Sequence, residues 1–302
     1  MLTKRKRRIF FYISIFVFLL AALPIIFYSQ GYRLGKDLAL HKTGGIFIKA
    51  SESGAVIKAD KKTKSTSLIN KSALIKNLLP GDYQISAEKE GFWPWAKRIE
   101  VLPEMVAERS ALLVPKNPKM ENLGTTSLQI ENPKPPYPSV KKFWEVPKTG
   151  DFIVLGEDGN FYKNRARLDV IGLWGTTTYN ILKSKKSSFF DEDFLKIVYW
   201  DTHSVGAYWF GDFERAPKWQ KERELDIFYS DSELADARFY PGWPDYLIAV
   251  SGDGIYTLEM DSSGGQNIAP LYKGRKPKIV FMDKETPALI IFDSGQYIQL
   301  KL

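Results

Sequence analysis

The sequence predicts an all-β body carried on a single N-terminal transmembrane helix, and three observations predict it. An uncharged apolar run of 20 residues, Ile9 to Tyr28, follows five consecutive cations. Residues 44–114 alternate apolar and polar side chains with a period of two. Residues 139–302 hold four hairpin-like units whose turns fall at positions 159, 203, 253 and 294, at steps of 44, 50 and 41 residues. The expected organisation is a basic stub (1–8), a membrane helix (9–28), a spacer (29–43), a small β-sandwich (44–114), a proline-rich linker (115–138) and a repeat region (139–302).

The helix comes first because it sets the location of everything after it. At about 1.5 Å of rise per residue, the apolar run is about 30 Å long, the hydrocarbon thickness of a bilayer. Lys4, Arg5, Lys6, Arg7 and Arg8 precede it, whereas Arg33, Lys36 and Lys42 after it are diluted by Asp37. Cytoplasmic flanks hold the excess of Lys and Arg, so the N-terminus is expected in the cytoplasm and the body outside it. A cleavable signal peptide shares this order, but its apolar region usually runs about 7 to 15 residues and ends in a small-x-small site. The exit here reads Phe27-Tyr28-Ser29-Gln30-Gly31, so a retained anchor is expected. Pro24 is compatible with a membrane helix.

Composition narrows the function of the body. Net charge is +8, but without the five tail cations 38 basic residues face 35 acidic ones. Nucleic-acid binding draws its affinity from clustered Lys and Arg, so no nucleic-acid partner is expected. The cationic stub is assigned instead to anionic lipid headgroups. There is no cysteine, which excludes disulfides and thiolate metal sites. Only His41 and His203 are present, which removes most zinc and triad chemistry, and no cofactor is expected. With 44% hydrophobic and 14% aromatic residues, an ordinary core suffices to hold the fold.

After a polar, glycine-containing spacer without clear periodicity, strands are read at Ile46–Ile48 and Ala55–Ile57 around the turn Ser51-Glu52-Ser53-Gly54. Leu79-Pro80-Gly81-Asp82 is a turn, and Tyr83, Ile85 and Ala87 then share one face. Past Glu90-Gly91, Lys97, Ile99 and Val101 alternate with Arg98 and Glu100. This is the pattern of a sheet with one face on a core and one in water.

The blocks Ala50-Ser51-Glu52-Ser53-Gly54-Ala55-Val56-Ile57, Leu78-Leu79-Pro80-Gly81-Asp82-Tyr83-Gln84-Ile85 and Lys89-Glu90-Gly91-Phe92-Trp93-Pro94-Trp95 resemble the PEGA domain. The resemblance covers roughly a quarter of the chain. It departs from the family at the name-giving tetrad, of which only Gly54-Ala55 is present, and at the first hairpin, where Asp60-Lys61-Lys62 replaces aspartate-glycine. It implies a small β-sandwich of a prokaryotic envelope protein, an extracytoplasmic spacer or binding module without catalysis.

Pro115, Pro118, Pro133, Pro135, Pro136 and Pro138 mark the linker as stiff and extended. Beyond it each repeat unit has an aromatic strand, an apolar strand, a polar turn and a return strand, in the layout of propeller blades. Fourth strands are read at Tyr179–Leu182, Ile227–Tyr229 and Ile268–Tyr272. The last unit lacks one, and Thr126–Ile130 is expected to supply it and close a ring of about four blades. An open arc, or a ring completed by a second chain, remains the alternative.

Few residues suggest chemistry. Asp191, Glu192 and Asp193 form the densest carboxylate cluster, a candidate acid and base pair for glycoside hydrolysis, but their place between strands predicts a solvated turn. Asp201 and His203 supply too few ligands for a metal site. Gly156-Glu157-Asp158-Gly159 and Ser251-Gly252-Asp253-Gly254 read as tight hairpins. Asn70-Lys71-Ser72 matches the short glycosylation acceptor pattern. Trp93 and Trp95, around Pro94, are candidate ligand contacts for sugar rings or a membrane interface, and packing at the end of the sandwich is the alternative. The expectation is a non-enzymatic membrane protein that presents an interaction module to a protein or wall polysaccharide. An anchored glycan hydrolase is the alternative.

Overall fold

A computed structural model describes residues 4–35, 37–60, 62–125, 138–146, 149–185, 187–191, 193–252, 254–283 and 288–302. The chain opens with helix α1 (Lys4–Ser29), which contains Pro24 and buries none of its residues. It starts four residues before Arg8, so all five cations ride on its first turn and a half. The body is mostly strand. It divides into two compact units, residues 1–87 with 98–111 and residues 88–97 with 112–302.

In the first unit, α1 is followed directly by a hairpin, β1 (Tyr32–Leu34) and β2 (Leu40–Lys42), in the register Tyr32↔Lys42 and Leu34↔Leu40. Residues 32–34 and 40–42 of the aperiodic spacer thus pair as two short strands. Arms of three residues are too short for a period of two to show in the sequence.

Next come β3 (Gly44–Ala50), β4 (Val56–Ala59), β5 (Lys62–Ser65), β6 (Ser72–Leu78), β7 (Gly81–Glu88), β8 (Trp95–Val101), whose first three residues belong to the second unit, and β9 (Val106–Ala111). They form two sheets, ordered β6-β3-β9 and β5-β4-β7-β8. β3 is antiparallel to β6 and parallel to β9. Ile46, Ile48, Ile57, Ile75, Ile85 and Ile99 are buried, as the alternation requires. Gly44 is needed at the start of β3, because a Cβ there would lie 2.3 Å from the Leu102 carbonyl oxygen.

The second unit holds β10 (Met120–Gly124), then β11 (Val140–Glu145), β12 (Phe152–Gly156), β13 (Phe161–Lys163) and β14 (Ala166–Leu168), which pair in that order. Helix α2 (Val170–Ser184) follows, capped by Asp169, whose carboxylate accepts the Gly172 N–H at 3.0 Å. A second sheet is built from β15 (Ser187–Phe190), β16 (Lys196–Trp200), β17 (Ser204–Trp209) and β18 (Glu224–Tyr229). The third contains β19 (Leu234–Tyr240), β20 (Trp243–Ser251), β21 (Gly254–Glu259) and β22 (Ile268–Lys273). The fourth takes β23 (Lys278–Asp283), β24 (Ala288–Asp293) and β25 (Gln296–Lys301), with β10 at its edge beside β25.

Consecutive residues of the central strands point into different cores. On β16, Ile197 and Tyr199 join Trp144, Ile153, Leu155 and Phe161 of the first sheet, whereas Val198 and Trp200 join Ala237, Phe239 and Leu247 of the third. On β20, Leu247 and Ala249 join that same core, whereas Ile248 and Val250 meet Ile279, Leu289, Ile291 and Leu300 of the fourth sheet. A strand buried on both faces reads as an unbroken apolar run, as Ile197–Trp200 and Tyr246–Val250 do.

One expected strand is corrected, and at the edge of the last sheet a segment before the expected one is paired. Tyr179–Leu182 lies in α2, in the part beyond a break in the helix at Gly175 (φ 85°, ψ 170°), where Thr178, Ile181 and Leu182 are buried. Their spacing is helical, and a short apolar stretch alone does not distinguish the two states. The edge strand of the last sheet is Met120–Gly124, paired as Met120↔Leu300 and Glu121↔Gln299. An exposed edge strand needs little apolar alternation, so Met120–Gly124 carries no strong signal. The expected Thr126–Ile130 lies outside the described residues.

Candidate functional site

Lys4 to Arg8 lie exposed at the start of α1. At its other end, the Arg33 guanidinium sits 3.6 Å from the Tyr28 ring centroid and donates to the Tyr28 and Tyr32 carbonyls at 2.9 and 2.7 Å. Phe27 meets Tyr32 edge to face at 5.5 Å. The Thr43 hydroxyl donates to the Gly31 carbonyl at 2.8 Å, tying the far end of the hairpin back to the helix exit.

Trp93 and Trp95 do not form an exposed pair. Trp93 is 38% exposed, with the Lys116 ammonium 5.6 Å from its ring centroid. Trp95 is 1% exposed, because it occupies the first inward position of the alternation along β8 and is closed to ligand.

The same alternation places Lys97 inward, where it is fully buried. Its ammonium lies 3.1 Å from Glu259 Oε1 and 3.1 Å from Asp261 Oδ2, and donates to the Asp261 carbonyl at 2.5 Å. Glu259 Oε2 accepts from Asn267 Nδ2 at 2.6 Å. Asn267 in turn donates to the Ala96 carbonyl at 3.1 Å and accepts the Ala96 N–H at 2.9 Å. Burial outweighs Lys97 and these hydrogen bonds at Glu259, whose carboxyl is pushed up to about 7. One cation between two carboxylates leaves a surplus negative charge in a low-dielectric interior, and proton uptake by Glu259 relieves it.

The acidic turn is divided. Asp191 is buried, and its Oδ1 accepts the N–H groups of Leu195 and Lys196 at 2.7 and 2.9 Å, so it braces the turn into β16. Burial raises its pKa. Glu192 lies outside the described residues. Asp191 and Asp193 line a depression of about 160 Å³ together with Phe239, Tyr240, Trp243 and Pro244. Beside it, buried Lys196 donates to the Pro244 carbonyl at 2.6 Å and faces the Trp209 and Phe239 rings at 5.5 and 5.6 Å. Burial lowers its pKa, opposed by the charges of Asp245, Asp191 and Asp193. A carboxylate and an indole edge on a shallow depression suit a small polar ligand with one apolar face.

A wider depression of about 420 Å³ is lined by Val140, Val154, Glu157, Asp158, Tyr162 and Arg165. The Asp158 carboxyl is held down at about 2 by the Tyr162 hydroxyl and by Asn160. Asp201 likewise sits at about 2, because its carboxylate accepts the backbone N–H of His203 and the hydroxyl and N–H of Ser204. His203 Nδ1 lies 3.1 Å from the Ser230 carbonyl. Both aspartates thus hold their own turns. Among the described residues, no three His, Cys, Asp or Glu side chains gather as a metal site. Asp253 lies outside them.

Sequence reasoning passed over Lys97, Glu259 and Lys196. For Lys97 the signal was present, since it shares its face with Ile99 and Val101 and a lysine at a core position needs carboxylate partners.

No family model and no curated protein matches the chain. Among solved structures it is similar to that of a candidate 6-phosphogluconolactonase from Bacteroides uniformis, at 10% identity, over 82% of this chain and 76% of that one, with a TM-score of 0.27. At that level of likeness neither fold nor activity transfers.

Proposed function

We propose that this is a non-enzymatic, single-pass membrane protein of a prokaryotic cell envelope. In this reading Lys4 to Arg8 stay in the cytoplasm, α1 crosses the bilayer, a PEGA-like sandwich acts as spacer, and a propeller-like module presents a binding face to a protein or wall polysaccharide. The observation that carries the proposal is α1 itself: 26 residues, strongly apolar after its first turn, with none buried against the body. A soluble protein does not leave such a surface in water. The cation bias across the helix supports the orientation.

The propeller reading rests on four four-stranded antiparallel sheets, on cores shared between consecutive sheets, and on the pairing of β10, which precedes the repeat region, with β25 at its end. The depression beside Trp243 and Asp193 is the candidate contact for a sugar or a polar side chain. The test is crosslinking and pull-down with the full chain in detergent against envelope extract, alongside incubation with labelled wall material. Recovery of a specific protein or glycan without product release supports the proposal. Release of soluble wall fragments, with no partner recovered, favours the anchored hydrolase.

A further inference from the structure

Outside α1, eight large apolar side chains of the first unit are exposed among the described residues, and they are not scattered. Six of them, Leu34, Leu38, Leu40, Leu102, Met105 and Val106, lie on two segments that bond to each other at the helix exit. The Thr43 N–H donates to the Gly31 carbonyl at 3.0 Å, the Glu104 N–H donates to the Thr43 carbonyl at 3.1 Å, and the Lys42 ammonium meets Glu104 Oε1 at 2.5 Å. Leu34 and Leu40 are directly opposite across the hairpin, so their side chains share a face. Leu38, in the turn between them, is 80% exposed. The other two, Leu68 and Ile69, sit in a separate turn between β5 and β6.

We propose that the β1–β2 hairpin and the 102–106 segment form an apolar collar seated in the headgroup layer of the leaflet into which α1 emerges. The occupant of this surface is lipid, by continuity with the membrane helix. The apolar run ends at Tyr28, so the hydrocarbon boundary falls there, and β1 begins only four residues later. A three-residue arm spans about 10 Å, comparable with a headgroup layer of about 5 to 8 Å per leaflet, and the Thr43 N–H on the Gly31 carbonyl returns the second arm to the helix exit, so the hairpin stays beside that layer. Tyr28 and Tyr32 at the exit are the side chains that prefer that layer, and the Arg33 guanidinium stacked on Tyr28 supplies a headgroup contact. The consequence is that the first unit lies on the membrane surface rather than being lifted from it.

The inference rests on α1 being in the bilayer, and its test separates the two claims. The absence of native cysteine allows single labels. Full chains carrying Leu38→Cys, Met105→Cys, Ile69→Cys or Phe18→Cys, each labelled with an environment-sensitive NBD dye, are reconstituted into phosphatidylcholine–phosphatidylglycerol vesicles. The collar predicts blue-shifted emission at positions 38 and 105, with iodide quenching about threefold or more below that at position 69, and quenching by brominated lipid. If positions 38 and 105 are quenched by iodide as strongly as 69 while 18 is shielded, the anchor stands and the collar is wrong. Shielding from iodide without quenching by brominated lipid means a second copy covers the patch, and also overturns the collar. If position 18 is itself open to iodide, the anchor fails, and the collar with it.

Discussion

Glu259 should make the second unit less stable as pH rises through neutrality, and Glu259→Gln should remove that dependence. The carboxyl sits at about 7 in the folded chain against an ordinary value of 4.5, chiefly because it is buried. Between those values the folded state holds a proton that the unfolded state has released, so unfolding free energy falls with pH across that window. A shift of about 2.5 units corresponds to about 3 kcal/mol in all, of which about 2 to 3 kcal/mol falls between pH 5 and pH 8. All eight tryptophans, from Trp93 to Trp243, belong to the second unit, so urea unfolding of the full chain in detergent, followed by tryptophan emission, reports on that unit. The native chain should lose roughly that much more stability than Glu259→Gln on going from pH 5 to pH 8. Equal pH slopes in the two proteins would refute the reasoning, since Glu259 would then be ionised in place at neutral pH.

The same fluorescence assay checks three further substitutions. Lys97→Met leaves Glu259 and Asp261 without their cation and should cost about 3 to 5 kcal/mol at pH 8, and less at pH 5, where Glu259 is protonated. Gly206→Ala should cost about 1 to 3 kcal/mol, because the new Cβ would stand 2.6 Å from the Tyr199 ring, which is held by its hydroxyl on Glu224 at 2.7 Å. Asp191→Ala strands the buried N–H of Lys196 and that of Leu195, and should cost about 1 to 3 kcal/mol, whereas a role confined to hydrolysis would leave the unfolding midpoint unmoved.

The parts of the fold that read out of the sequence are those where burial imposes a local pattern. Ile197–Trp200 and Tyr246–Val250 are continuous apolar runs because both faces of β16 and β20 meet a core. Residues 95–101 alternate because only one face of β8 does. Elements without that pressure are silent. The β1–β2 hairpin is too short, and Met120–Gly124 is an exposed edge whose pairing with β25 is decided by the far end of the chain. In α2 the buried Thr178, Ile181 and Leu182 fit a helical spacing, but Tyr179–Leu182 taken alone reads equally well as strand.

The candidate sites divide along the same line. The turn-holding roles of Asp158 and Asp201 are local and legible from composition. The salt bridges of Lys97 are not, since Lys97 and Asp261 stand 164 positions apart. What the sequence does show there is half of the pair: a lysine on the inward parity of a strand.

The central claim is that α1 crosses a membrane with its cations inside, and impermeant-maleimide labelling of single cysteines in intact bacterial spheroplasts tests it most directly. Ile69→Cys, at a position 95% exposed in the body, should label in intact spheroplasts. Lys6→Cys should label only after the membrane is opened, with the chain recovered full length in the membrane fraction. The reverse pattern would contradict the orientation. A chain found in the soluble fraction, or shortened past Tyr28, would contradict the anchor itself.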